Sequence, residues 1–299
     1  MAQPDSLVFE NRTFDAAEFG LIRDVVSRFS GLSRQELANT VCELVQWRRP
    51  NGGLKTWECQ ELLVELERAG HVELPALRAA GRPRGSRTRV PRTERGEAQP
   101  PLRGTLRDVA PVSLKLVRCE ADRLLWRELV GRYHYLGHAV PFGAYLRYLI
   151  EVARPTQQVV GCLQLSSPAW KIAGRDRWIG WSEARRRRHL QRVVNNSRFL
   201  LLPWVQVRYL ASSVLAQVAR EFSSHWEQHY GVRPLLLETL VETGRHRGTC
   251  YRAANWLDLG VTQGRGRMDR DRTRQDACPK TVFVLPLVRE ARQALRGEG

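Results

Sequence analysis

Residues 199–202 read FLLL and stop at Pro203; after a short mixed stretch comes LASSVLAQVAREFSSHWEQHY, with apolar residues at helical spacing. A short apolar run closed by proline reads as a buried strand, and a strand buried on both faces needs a helical layer on each side. This junction of strand, loop and long helix commits the chain to a layered α/β fold. The surrounding sequence keeps the alternation. A helix over 121–132 (ADRLLWRELVGR) precedes AYLRYLIEVA and QQVVGCLQLSS, two strands split by a turn at 154–156. RWIGW reads as another short strand, EARRRRHLQRVV as helix, RFLLLP and PLLLETLVE as strands, and TCYRAANWLDLG as a helix ending near a glycine. TVFVLPL is the last strand before the tail REARQALRG. Residues 106–299 are therefore expected to form one mixed α/β domain.

The first 77 residues follow another plan. Phe19, Ile22, Val25, Val26 and Phe29 fall at helical spacing. Ser33 and Glu36 form a capping box ahead of Leu37, Val41, Leu44 and Val45, and TWECQELLVELERAG supplies a third helix before a strand stub, HVELP. Three helices and an extended tip predict a winged helix-turn-helix-like module over 1–77, with Arg48, Arg49 and Lys55 against phosphates. The alternative is a three-helix interaction module, because the third helix offers mostly Glu to solvent. Residues 78–105, rich in Pro, Gly and Arg without apolar periodicity, read as a basic, disordered linker.

Charge decides the class of partner. The chain carries a net +17 at pH 7, which points to a polyanion, most simply DNA. Residues 1–75 hold 8 Lys/Arg against 12 Asp/Glu and residues 76–105 hold 8 against 2, so the α/β domain is the polycation. No apolar run is long enough to span a bilayer and no signal pattern opens the chain, so no membrane partner and a cytoplasmic location are expected. The six cysteines are scattered without a CxxC pair, which argues against a disulfide framework or zinc site.

Several phrases give a more specific reading. The order of elements, with a long helix after the strand at 199–202 and a Tyr-bearing helix later, resembles the GNAT N-acyltransferase fold. In that fold the strand-to-helix turn holds the pyrophosphate of coenzyme A on backbone amides. YHYLGH, RDRWIGW, NNSRFLLLP, LASS, GTCYRAANW, GVTQGRGR and PKTVFVLPL, in that order, resemble the DUF4338 family, which includes a component of the Druantia anti-phage system. The resemblance spans about residues 30–290. It implies a bacterial protein tied to phage defence or mobile elements, working with other defence proteins, and an acetyl-CoA or other acyl-CoA cofactor. The strand-to-helix turn here has no glycine, which weakens the cofactor expectation.

The candidate residues divide by chemistry. In the turn, Arg208, Ala211, Ser212 and Ser213 are placed to meet a phosphate; alternatively Ser212 or Ser213 only caps the helix. Asn195, Asn196, Ser197 and Arg198 precede the strand, where paired Asn ordinarily form a turn; the resemblance makes Asn196 a candidate to present its amide to a base or acyl group. His134, in YHYLGH, is a candidate acid or base beside Tyr133, Tyr135 and His138, aromatics able to stack bases. Glu238, read at the carboxyl end of its strand, is a candidate general base or, with Glu242 and Asp176, a metal ligand. Cys250 lies at a predicted helix start that would stabilise a thiolate, although a buried structural Cys is the simpler reading. The GNAT resemblance makes Tyr251 a candidate general acid. Arg185, Arg186, Arg187 and Arg188, with Arg265 and Arg267 in GRGRMDRDRTR, are expected to track phosphates together with Arg48 and Lys55. Three functions stay open: a DNA-modifying transferase, a DNA binder with a decayed acyl site, and a metal-dependent strand-processing enzyme of a mobile element.

Overall fold

The computed structural model describes residues 6–9, 12–29, 32–49, 53–76, 92–141, 143–262 and 278–298. A hairpin opens the chain: β1 (Ser6–Phe9) pairs antiparallel with β2 (Arg12–Asp15). Three helices follow, α1 (Ala16–Arg28), α2 (Arg34–Leu44) and α3 (Thr56–Arg68). The Ser33–Glu36 capping box forms as its spacing predicts, with the Glu36 carboxylate accepting from the Ser33 N–H at 2.8 Å. The strand stub at HVELP does not form. Residues 71–76 carry no strand, because the Leu74 N–H is satisfied by the Glu67 carboxylate at 3.0 Å rather than by a ladder. The extended element lies before the helices instead of after them, which departs from the winged-helix plan.

The segment read as linker is structured from residue 92 onward. The Thr93 N–H and hydroxyl donate to the buried Glu128 carboxylate at 2.9 and 2.7 Å, and the Tyr133 hydroxyl donates to the Gly96 carbonyl at 2.9 Å. The next strand, β3 (Leu102–Thr105), leads to α4 (Leu106–Val109), β4 (Val112–Leu116), α5 (Glu120–Tyr133), β5 (Tyr145–Val152) and β6 (Gln158–Ser166). Then come α6 (Ala173–Ile179), α7 (Glu183–His189), β7 (Val193–Leu201), β8 (Val205–Arg208) and α8 (Leu210–Tyr230). The domain closes with β9 (Leu236–Glu242), α9 (Thr249–Ala253), β10 (Leu257–Val261), β11 (Lys280–Pro286) and α10 (Ala291–Arg296).

Seven of these strands make one mixed sheet in the order β10-β11-β9-β7-β6-β5-β4, while β3 and β8 pair parallel as a separate ribbon. The α/β architecture, built on a mixed sheet, is as the sequence predicts. RWIGW is not a strand: it falls across the end of α6, which stops at Gly180 in the left-handed region (φ 78°). The helix in GTCYRAANW is five residues long, and the chain turns at Asn255 (φ 63°) so that WLDLG contributes β10. Residues 195–197, expected before the strand, lie inside β7.

The ladders explain the core. In β5 and β6 almost every residue from Leu146 to Ser166 within the strands is buried, as a two-faced central strand demands. Helix α8 packs Val214, Val218, Phe222 and Trp226 into the largest cluster, α5 sets Trp126 and Leu129 against Leu149 and Cys162, and α6 and α10 cover Leu236 and Val284. The N-terminal helices join the same core, with Phe29, Leu32 and Leu44 beside Ala144, Leu190 and Trp226.

Candidate active-site cleft

All neighbouring strands of the large sheet are antiparallel except β7 and β9, which run parallel. Their ladder has only three steps: Val193 opposite Leu236, Val194 opposite Leu237, Asn195 opposite Glu238. Beyond Asn195 the two strands part, and a cleft of about 790 Å³ opens between them. Asn196, Ser197, Phe199 and Leu201 line one wall, Thr239 and Val241 the other, and residues 133–136 and 245–251 complete it. Three of the four candidate catalytic residues therefore share one cavity: His134, Asn196 and Tyr251.

Asn196 and Tyr251 touch directly. The buried Asn196 amide donates from Nδ2 to the Tyr251 hydroxyl oxygen at 3.2 Å, and the Asn196 Oδ1 is buried without a partner. Tyr251 is fixed by stacking on Phe283 (centroids 5.5 Å, 17°) and by edge contact with Trp256 at 5.1 Å. Burial pushes its phenol above the ordinary tyrosine range, so it keeps its proton near neutrality. Thr239, which the sequence did not single out, ties the walls together where they part: its hydroxyl donates to the Asn196 carbonyl at 2.9 Å.

His134 ends α5. Its Nδ1 accepts from the Leu136 N–H at 3.2 Å, which leaves the ring hydrogen on Nε2 and makes that nitrogen a donor. Burial, with repulsion from Arg198 and His246, holds its pKa down to about 4, so the ring is neutral. In this geometry His134 offers a hydrogen bond rather than a base. Cys250 also lines the cleft, but burial raises its thiol, and no thiolate forms at the helix start as the sequence suggested it might.

Glu238 does not reach the cleft. It is the third residue of β9 rather than at its carboxyl end, and consecutive strand residues point to opposite faces, so Thr239 faces the cleft while Glu238 faces α6. There it is fully buried and paired with the equally buried Arg175 at 2.8 Å. Arg175 also holds Asp176 at 2.8 Å, and Trp181 Nε1 donates to the same Asp176 oxygen at 3.1 Å. The carboxylates considered as metal ligands thus converge on a guanidinium, and Glu242 sits against Arg245 at 3.5 Å. Among the described residues no group of three or more His, Cys, Asp or Glu is placed to hold a metal.

The basic candidates are dispersed. On α7, Arg185 and Arg188 are exposed, Arg187 pairs with Glu183 at 2.9 Å, and Arg186 turns inward. Arg186 stacks over Trp170 at 4.8 Å and lies 3.6 Å from Asp176, which corrects its assignment as a phosphate contact. Arg48 pairs with Glu43 at 2.5 Å and Lys55 lies over the Trp47 ring at 5.8 Å. Arg265 and Arg267 lie outside the described residues. The cleft has its own cations, Arg245 and Arg247 at its rim and Arg198 behind the His134 turn, none of them singled out by a charge run.

The turn before α8 bears on coenzyme A. The helix starts one turn earlier than the serine caps imply: Tyr209 is the N-cap, in the left-handed region (φ 64°) that glycine ordinarily supplies. The Ser213 N–H and Ser212 hydroxyl both donate to the Tyr209 carbonyl, so the Ser213 amide is not available to a phosphate. The amides of Leu210, Ala211 and Ser212 lead the helix with Arg208 exposed beside them, a cradle that fits a diphosphate in backbone form. What differs from a glycine turn is the Tyr209 side chain, 73% exposed.

Comparison with curated proteins gives no match. Solved structures similar to this chain include a spermidine N-acetyltransferase from Vibrio cholerae in complex with CoA and spermine, at 10% identity and TM-score 0.39, over 59% of this chain and 95% of that one. Another is a CoA-dependent acyl-homoserine lactone synthase, MesI, at 15% identity and TM-score 0.32, over 62% of this chain and 94% of that one. The family model for Druantia protein DruA matches residues 65–277, from within α3 to the stretch before β11 and across every wall of the cleft. That match covers well over half of the sequence, and on it the chain belongs to the Druantia DruA family.

Proposed function

We propose that this protein is a nucleic-acid-directed acyl transferase that serves phage defence in the bacterial cytoplasm together with other proteins of its system. The observation that carries the reading is the cleft where β7 and β9 part, with a protonated Tyr251 and an Asn196 amide at its base and Arg245 and Arg247 around its mouth. The polycationic character of the chain supports a nucleic acid as the acceptor.

The residues present divide the work. The amides of Leu210, Ala211 and Ser212 with Arg208 would hold the diphosphate of coenzyme A, whose thioester supplies the activated acyl group when bound. The β7 edge beyond Asn195, which has no strand on its β9 side, offers backbone groups to an extended ligand. Tyr251 accepts from Asn196, lies within hydrogen-bonding reach of the Thr239 hydroxyl, and keeps its proton through burial, which suits it to the role of a general acid at the cleft wall. The unpartnered Asn196 Oδ1 accepts from an amine held there and orients it. His134 contributes its Nε2 hydrogen as a positioning bond.

Incubation of DNA with the protein and acetyl-CoA, followed by mass spectrometry of the nucleosides, tests the reading. A nucleoside heavier by one acetyl group is the expected result. Unmodified nucleosides together with a thermal shift on DNA and none on coenzyme A would instead support a second reading, a DNA-binding protein with a decayed acyl site. Tyr209 in the glycine position is the observation favouring that alternative.

A further inference from the structure

The mouth of the cleft holds an aromatic surface that acyl transfer alone does not require. Tyr135, on the turn after α5, is 39% exposed. Its ring lies nearly parallel to the His134 imidazole (centroids 4.9 Å, 22°), and the Arg245 guanidinium carbon sits 5.1 Å from its centroid. The turn is braced from β7, where Arg198 Nε donates to the Gly137 carbonyl at 3.1 Å. The ring is therefore a fixed plane, and Arg245 shows that it accepts a flat, electron-poor partner. Arg245 reaches it on an exposed side chain tethered to Glu242 by one 3.5 Å contact, so it can yield its place. Burial raises the Tyr135 hydroxyl above its ordinary range, which keeps negative charge off the platform.

We infer that Tyr135 is a stacking platform for a single nucleobase, unpaired or turned out of a duplex, with Arg245 and Arg247 meeting the flanking phosphates. A base inside a duplex has no free face to lay on a side chain, whereas an unpaired base does. The exposed groups beside the ring are mainly cationic, which suits a phosphodiester strand better than a protein partner. The inference rests on the reading that the acceptor is nucleic acid and adds to it the state of the strand: single or locally opened.

Fluorescence anisotropy on the full chain tests it with three labelled probes of equal length: a single strand, its duplex, and an abasic single strand. The single strand should bind more tightly than the abasic one. Tyr135→Ala should weaken the single strand about tenfold while leaving the abasic strand unchanged, and Tyr135→Trp should retain binding. The platform is overturned if Tyr135→Ala weakens both strands equally or neither, or if the wild type prefers the duplex. Retention by Tyr135→Trp separates stacking from misfolding. Nucleoside analysis of the same variants keeps the two readings apart. Wild-type modification by Tyr135→Ala would overturn the platform alone, whereas base-dependent binding without a modified nucleoside would overturn acyl transfer alone.

Discussion

Tyr251 and Glu238 are both buried polar side chains near the fork in the sheet, yet their partners assign them opposite work. Tyr251 meets a neutral amide whose oxygen is left over, an arrangement with unused hydrogen-bonding capacity. Tyr251→Phe should slow nucleoside modification about 100-fold, as loss of a general acid does, while the melting temperature moves little because one hydrogen bond contributes only about 1 kcal/mol. An unchanged rate would remove Tyr251 from the mechanism. Glu238 meets a guanidinium that is itself fully buried and whose donors are all taken by Glu238, Asp176 and the carbonyls of Ala169 and Trp170. Arg175→Ala strands a buried carboxylate and should cost about 3–5 kcal/mol in denaturant unfolding. Glu238→Gln keeps the shape and removes the charge, so it should lower stability by less and leave modification at the wild-type rate. Activity lost in Glu238→Gln without loss of folded protein would return Glu238 to the site.

At the scale of elements, the sequence shows strands and helices clearly where one period dominates and poorly where a side chain overrides it. The long helix and the strands at 145–166 and 280–286 follow apolar spacing that only one structure satisfies. RWIGW misleads because its aromatics pack from a short helix held by Asp176, which accepts from the Ile172 N–H at 3.2 Å, a contact invisible to spacing. The start of α8 misleads because a tyrosine adopts the backbone of a glycine. Tyr209→Gly should relieve about 1 kcal/mol of backbone strain and enlarge the thermal shift produced by coenzyme A. An equal shift in both proteins would mean that the turn does not meet the ligand. The His134–His138 turn gives a pH signature. His134 Nδ1 accepts from Leu136 N–H, His138 Nε2 faces the Arg147 guanidinium at 3.3 Å, and burial first, then neighbouring arginines, holds both rings down to about 4 from an ordinary 6.5. Between those values the unfolded chain binds protons that the folded chain refuses, so stability is complete above about 6.5 and falls as pH drops toward 4. Urea melts at pH 7 and pH 5 should show the loss, and the His134→Gln/His138→Gln protein should show a smaller one.

For the whole molecule, charge and core draw different boundaries. By charge, the first 75 residues are acidic and the rest is the polycation. By packing, Phe29, Leu32 and Leu44 belong to the same core as Leu190 and Trp226, so removing the N-terminal helices would expose apolar surface as well as shift charge. The three helices that suggested a DNA reader present Glu61 and Glu65 beside the exposed Trp57, a face unsuited to phosphates. The polyanion should therefore be held by the α/β domain. Binding through about six to ten phosphate contacts loses roughly 10³–10⁵ in affinity between 50 and 200 mM salt. Paired surface mutants report which arginines contribute. On a single strand, Arg245→Gln/Arg247→Gln should lower the slope of log affinity against log salt by about 1.4. Arg186→Gln, a change at an inward-turned side chain, should leave the slope alone while lowering stability. If instead the slope were flat for the wild type, a net charge of +17 would be a feature of composition and the cleft would have to recognise an uncharged acceptor.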